Sequence, residues 1–115
     1  MDAVTLINSF EVPAGREDEF FGLWQQVNTY MRGKKGYLEH KLHRSLRPDA
    51  PFRFVNVARW ASMADFDAAH DEGFRALVGK PEWKAFRAAP VLYEIIHDAK
   101  ANVAEADREL ARVAG

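Results

Sequence analysis

Two amides and an indole stand where the sequence otherwise places apolar side chains. Asn8 lies in Val4–Val12, whose alternation puts Val4, Leu6, Asn8, Phe10 and Val12 on one face. Asn56 and Trp60 lie in Phe52–Trp60, where Phe52, Phe54, Asn56, Ala58 and Trp60 share one face and Arg53, Val55, Val57 and Arg59 the other. A buried amide is costly unless its polar atoms find partners, so each Asn needs either a protein hydrogen bond or a ligand. Asn56 and Trp60 are separated by roughly 13 Å of strand rise, which lets an amide and an indole N–H line two parts of one pocket. Amide N–H groups aimed at a developing oxyanion have been worth about 2.7–4 kcal/mol per donor where such donors were removed. An indole adds a flat apolar face and one donor. The same pattern also describes a core strand holding one satisfied Asn.

The histidines carry less chemistry. His40 and His43 are three apart on a strand pattern, so they face opposite ways and cannot chelate one ion. His40 shares a face with Leu38, Leu42 and Leu46, as a pocket base or as a satisfied core histidine. His70 lies beside Asp67 and Asp71, which predicts a solvated or salt-bridged surface ring. His97 ends a strand pattern. The chain has no cysteine, which excludes disulfides, thiol nucleophiles and thiolate metal sites. Gly33-Lys34-Lys35-Gly36 is a turn and lacks a phosphate-loop pattern.

The elements that must position these residues follow from periodicity. Pro13-Ala14-Gly15 ends the first strand, and Arg16-Glu17-Asp18-Glu19 opens a helix that is acidic at its positive end. Phe20, Leu23, Trp24, Val27, Tyr30 and Met31 form its apolar stripe, to about Arg32. Tyr37–Leu46 is the second strand, with Tyr37, Glu39, Lys41, His43 and Ser45 opposite the His40 face. The turn Arg47-Pro48-Asp49-Ala50-Pro51 leads into the Asn56 strand as an antiparallel hairpin. Ser62-Met63-Ala64-Asp65 has the form of a capping box. The helix it starts is interrupted by Gly73, Gly79 and Pro81, which predicts pieces near 63–71, 74–78 and 81–88, closed by Pro90. Val91–His97 is the last strand. The order is strand, helix, strand, strand, helix, strand: an α+β, ferredoxin-like split βαβ fold (βαββαβ), an antiparallel four-stranded sheet with helices on one face.

The opposite face carries Thr5, Ile7, Val55 and Val57, apolar enough to need cover, and a homodimer supplies it economically. Residues 1–98 form one domain, and 99–115 a helical tail with a narrow seam of Val103, Ala106, Leu110 and Val113. That tail either docks on a neighbour or frays. A length of 115 residues, 48% of them hydrophobic, suits a single folded domain. A net charge of −1 with mixed signs speaks against nucleic acid and anionic membrane as partners. Met1-Asp2-Ala3 runs straight into a strand pattern, and no run reaches the length of a membrane helix, so a soluble cytoplasmic protein is expected.

With both Asn-bearing strands in this order, the sequence resembles the antibiotic biosynthesis monooxygenase superfamily over roughly residues 4–98. The resemblance is carried by Val-Thr-Leu-Ile-Asn-Ser-Phe-Glu-Val-Pro-Ala-Gly at the first strand, by Gly36-Tyr37, and by Val55-Asn56-Val57-Ala58-Arg59-Trp60-Ala61-Ser62. It implies a dimeric α+β barrel and, nearest in pattern, a cofactor-independent oxygenase of anthrones and quinone precursors. Such an enzyme uses molecular oxygen as co-substrate on a small aromatic. The resemblance places Asn8, Asn56 and Trp60 in the substrate cavity as the catalytic set and extends to Arg87 as a substrate contact; His40, Phe54 and Phe66 are the further expected substrate contacts. It requires no bound cofactor and no metal. Non-catalytic binding proteins and heme-degrading members are the alternatives. The latter pair a first-strand Asn with a Trp and a heme-ligating His of the second helical region, ten residues apart. Ten residues before His70 stands Trp60, but on a strand. For heme, His70 is the best-placed ligand, against the pull of Asp67 and Asp71 toward water and the breaks at Gly73 and Gly79.

Overall fold

The alternation around Asn8 and Asn56 is realised as two neighbouring antiparallel strands. In the computed structural model, which describes residues 3–115, β1 (Val4–Glu11) and β3 (Phe54–Trp60) pair with Asn8 opposite Asn56 and Val4 opposite Trp60. β2 (Tyr37–Arg44) and β4 (Arg87–Tyr93) flank them in the order β2-β3-β1-β4, every pair antiparallel. Helices α1 (Glu17–Met31), α2 (Met63–Ala69) and α3 (Glu72–Val78) cover the face that bears both amides, as the ferredoxin-like reading requires. Met1 and Asp2 lie outside the described residues. Among the described residues no helix is long and apolar enough to cross a membrane.

The helix stripe is buried much as its spacing predicts, through Phe20, Leu23, Trp24 and Met31, with Asn28 added. Phe20 is fully buried, its ring 4.8 Å from both Phe10 and Phe54 and 5.5 Å from Phe86. Burying one such ring is worth about 1.5–3 kcal/mol. Phe54 is therefore committed to the core.

Three sequence expectations give way. β2 stops at Arg44, leaving Leu46 fully exposed, and β3 starts at Phe54 with Phe52 outside it. A bulge lies between Tyr37 and Glu39: Tyr37 pairs with Trp60 and Glu39 with Arg59, so Leu38 is the extra residue. One extra residue reverses the faces before it. Tyr37 thus joins His40 on the helix side, while Leu38 is half-exposed. The expected helix at 81–88 is a short 3-10 turn, Pro81–Ala85, and β4 begins at Arg87, four residues before the strand predicted from Val91. Pro90 lies inside β4 rather than before it. β4 is an edge of the sheet, where a residue without an N–H is tolerated.

Gly73 does not break the helical region; it lies in the first turn of α3 and lets Tyr30 approach. A Cβ there would stand 2.3 Å from the Tyr30 hydroxyl oxygen. That hydroxyl donates to both carboxylate oxygens of Asp71, at 2.8 and 2.9 Å, and Lys34 donates to Oδ2 at 2.6 Å. Asp71 also accepts from the Phe74 N–H and so caps α3. Gly36 has φ +86°, in the left-handed region, and a Cβ there would collide with the Asp65 side chain at 2.4 Å.

After Tyr93 the chain leaves the sheet, and α4 (Val103–Ala114) is exposed at every residue. Asn102 caps it by accepting from the Glu105 N–H. A 12-residue helix is marginal alone in water, and its Val103, Leu110 and Val113 are open to solvent. On the far side of the sheet, Val91 and Tyr93 are half-exposed in the same rows as Ile7 and Thr5.

The Asp71 junction ties α1 to the start of α3. Lys34 first, then the Phe74 N–H and the Tyr30 hydroxyl, hold its carboxyl well below the usual carboxylate range. Its contribution is complete above the ordinary carboxylate pKa and is lost as pH falls through the depressed value. Asp71→Ala should therefore lower Tm at neutral pH, with the gap to wild type closing in strongly acid solution. Thermal melts across pH check this; a gap of constant size would show that charge is not what the junction contributes.

Candidate active site

Between the sheet and the helices lies a cavity of about 580 Å³. Its floor is set by pairing register. Across the four strands runs the row Leu42, Asn56, Asn8, Pro90, so the two amides are neighbours with an apolar residue on either side. Asn56 is only 6% exposed, and the Oδ1 atoms of both Asn8 and Asn56 are buried without a hydrogen-bond partner. Leaving such a group unsatisfied costs about 1–3 kcal/mol. Rotation of the amide about χ2 exchanges oxygen and nitrogen at little steric cost, so each residue can present either a donor or an acceptor to a bound molecule.

The walls are aromatic. Trp60 is 2% exposed and meets Tyr37 and Phe66 edge-on, at 5.1 and 5.8 Å between ring centroids. Phe74 and Met31 close that end, while Phe10, Phe86 and Trp83 form the other. Trp83 Nε1 is buried there without an acceptor. Among the described residues no Lys, Arg, Asp or Glu lines the cavity. Such a space favours a flat, largely neutral molecule with few oxygen atoms.

Of the residues singled out from sequence, Asn8, Asn56, Trp60 and Phe66 meet in this cavity. Phe54, His40 and Arg87 do not line it. Phe54 stacks beneath Phe20. His40 sits behind the wall, edge-on to Trp24 at 5.2 Å. Arg87 opens β4 on the sheet edge, its side chain 81% exposed and 3.9 Å from Glu11 across the strand pair. A helical Arg87 would turn elsewhere; as the first strand residue it is carried outward.

His70 reverses its expected place. Its ring turns inward and lines the cavity, 4.2 Å from Phe66 and 4.5 Å from Phe74 between centroids. Nδ1 lies 2.6 Å from the Phe66 carbonyl oxygen, which only accepts, so Nδ1 carries the proton. Asp71 does not draw the ring toward water because it is engaged by Lys34 and Tyr30. The available signal was position: His70 is one helical turn after Phe66.

Tyr37 and Asn28 also escaped sequence reasoning. Asn28 lies one turn after Trp24 on the buried stripe, and its Nδ2 donates to the Tyr37 hydroxyl oxygen at 3.4 Å. That hydroxyl lies 2.5 Å from His40 Nδ1. Burial pushes the Tyr37 pKa up. It pushes the His40 pKa down, with the nearby Arg32 cation acting in the same sense.

Comparison with known proteins gives a consistent picture. The sequence model of a family described as "Antibiotic biosynthesis monooxygenase" matches residues 3–89. A crystal structure of a candidate monooxygenase from Shewanella loihica PV-4 is 34% identical, with a TM-score of 0.74 over 84% of this chain and 97% of that one. SnoaB, a cofactor-independent oxygenase from Streptomyces nogalater, has a TM-score of 0.73 at 24% identity, covering 85% of this chain and 97% of its own. A variant of MhuD with two manganese protoporphyrin IX molecules per active site superposes with a TM-score of 0.67 at 24% identity, over 85% of this chain and 99% of its own. At those last two identities the likeness is one of fold.

The floor row yields a prediction about stability. Asn56→Leu keeps the branched shape and removes a buried amide whose oxygen has no partner. It should leave stability unchanged or raise it, by up to about 1–3 kcal/mol, while abolishing whatever the cavity does to an oxygen-bearing ligand. Denaturant titration measures the first half; a loss of stability would mean that the Asn56 amide is satisfied within the protein.

Proposed function

This chain belongs to the antibiotic biosynthesis monooxygenase family, and we propose that its cavity oxidises a phenolic, anthrone- or quinol-like aromatic with molecular oxygen and no bound cofactor. Family membership and the Shewanella relative support monooxygenase-type chemistry. The substrate class is our reading of the cavity. Loss of a proton converts such a molecule into an electron-rich anion that can pass an electron to oxygen directly. The protein's tasks are then to hold the ring, stabilise its oxyanion and exclude water. Trp60, Phe66 and Phe74 offer ring surfaces. Asn8 and Asn56 offer two adjacent amides where the substrate oxygen would lie.

The observation that carries this reading is the pair of unpartnered amides side by side in an otherwise apolar cavity. A purely structural pair would be satisfied within the fold.

Heme is the second reading, and His70 favours it: the ring faces the cavity with Nδ1 bonded to a carbonyl, which leaves Nε2 free. Bound heme would bring oxygen activation at iron. Against it, among the described residues no Lys or Arg lines the cavity to meet the two propionates.

The second copy expected from the resemblance would lie on the outer sheet face, over Ile7, Val57, Val91 and Tyr93. Light scattering at micromolar protein should return about twice the chain mass; the mass of one chain would remove the dimer from this proposal.

Oxygen uptake with a panel of anthrones and hydroquinones tests the activity itself. Asn56→Ala should lower turnover by about 10²–10³-fold, as expected for one lost charge-stabilising donor, and His70→Ala by far less. Titration with hemin should give no sharp one-to-one Soret band. If that band forms and His70→Ala abolishes it, the heme reading replaces the first.

A further inference from the structure

Tyr37 faces Trp60 across the strand pair, and both line the cavity. Its hydroxyl oxygen accepts from Asn28 Nδ2, and His40 Nδ1 lies 2.5 Å away. The Tyr37 oxygen can accept from Asn28 while its own proton is donated to His40, in the tautomer whose Nδ1 is unprotonated. The contact exists only because of the bulge. Residues three apart on a regular strand face opposite ways, and the extra residue at Leu38 brings Tyr37 and His40 to one side. His40 is half-buried on an outer strand of the sheet, off the cavity wall. A hydroxyl on a cavity-lining residue, a proton acceptor beside it and a bulge that joins them make more than is needed to pack a wall.

We propose that Tyr37 and His40 form a proton reservoir for the cavity, Tyr37 as the catalytic residue that touches substrate and His40 as the positioning residue that holds the proton. The proposal rests on the oxidation of an acidic aromatic described above. In the first half-reaction the substrate C–H or O–H bond breaks and its proton goes to the Tyr37 oxygen. The Tyr37 proton moves to His40 Nδ1, leaving an aromatic anion in the cavity and an imidazolium behind it. The anion gives one electron to molecular oxygen, and recombination forms a C–O bond and a peroxide anion. In the second half the proton returns from His40 through Tyr37 to the distal peroxide oxygen. Loss of water from the resulting hydroperoxide leaves a carbonyl. One proton leaves and one returns along the same path, so His40 regains its starting tautomer without a ring flip.

The charged side chain that bears on the His40 ring is Arg32, at the end of α1, and the titratable group in contact is Tyr37. Trp24 from α1 and Ala58 across the strand pair carry no charge. Burial and Arg32 both favour the neutral ring, the form able to accept the proton.

Tyr37→Phe keeps the ring against Trp60 and removes only the oxygen; His40→Gln removes the acceptor. With a hydroquinone supplied below its own pKa, each variant should slow oxygen uptake about 10²-fold or more, the scale of a lost general acid–base group. The loss should shrink at a pH where the hydroquinone is already ionised in solution. In the wild type kcat/KM should rise with pH through the His40 titration, a limb that His40→Gln should abolish. Equal losses at both pH values, or a limb that survives His40→Gln, would overturn the reservoir. If no aromatic in the panel is oxidised at all, the oxygenase reading falls by itself, and the free protein decides this one. Nitrogen NMR of the His40 ring should then show an unprotonated Nδ1 whose resonance shifts in Tyr37→Phe. A protonated Nδ1 would refute the proposal without any substrate.

Discussion

Everything about the cavity depends on the register between β1 and β3. Antiparallel pairing sets Asn8 directly opposite Asn56, and the period of two then carries Leu6, Phe10, Phe54, Ala58 and Trp60 to the same face. A slip of one residue would turn one strand over relative to the other, parting Asn8 from Asn56 and bringing either Ile7 or Val55 and Val57 inside. The apolar members of the row hold this register: Phe10 and Phe54 lock beneath Phe20, and Trp60 is enclosed by Tyr37 and Phe66. The two amides do not contribute to that lock. They are carried into an apolar space by their neighbours' packing, at a desolvation cost of about 1–3 kcal/mol for each unpartnered group.

The helices supply the rest of the enclosure, and their placement is electrostatic as well as apolar. Asp71 receives Lys34, Tyr30 and the Phe74 N–H together, joining the end of α1 to the start of α3. The same engagement leaves His70, its neighbour in sequence, free to turn its ring between Phe66 and Phe74. A charged junction on the outside thus governs which histidine reaches the inside. Gly73 makes the junction possible by admitting the Tyr30 hydroxyl where any side chain would displace it.

The polar groups of the cavity fall into two sets that differ in connection. Asn8 and Asn56 stand alone, suited to meet charge that arises on a ligand. Tyr37 is linked to Asn28 and His40, suited to move a proton. In the oxidation proposed above, the first set would meet the anion and the second would carry the proton.

The sequence by itself determined the class of fold, the faces of β1 and β3 and the inward direction of Asn8, Asn56 and Trp60, because these rest on short-range periodicity. Alternation over seven or eight residues leaves no other way to bury so many apolar side chains at once. It also showed the break at Gly79 and Pro81, since Gly and Pro act locally, whereas the break between α2 and α3 falls at His70 and Asp71. Only the tertiary structure decided the rest. A bulge is invisible to a strict period, so Tyr37 was read on the wrong face. Pro90 closes a helix or sits in an edge strand depending on which neighbour β4 lacks, and that is set by sheet order. The charges beside His70 in the chain predict a surface ring, yet one of them, Asp71, is engaged by partners 37 and 41 residues away. Arg87 could be placed only once the start of β4 was known. Where a side chain's direction depends on a contact between distant segments, the local pattern carries no information about it.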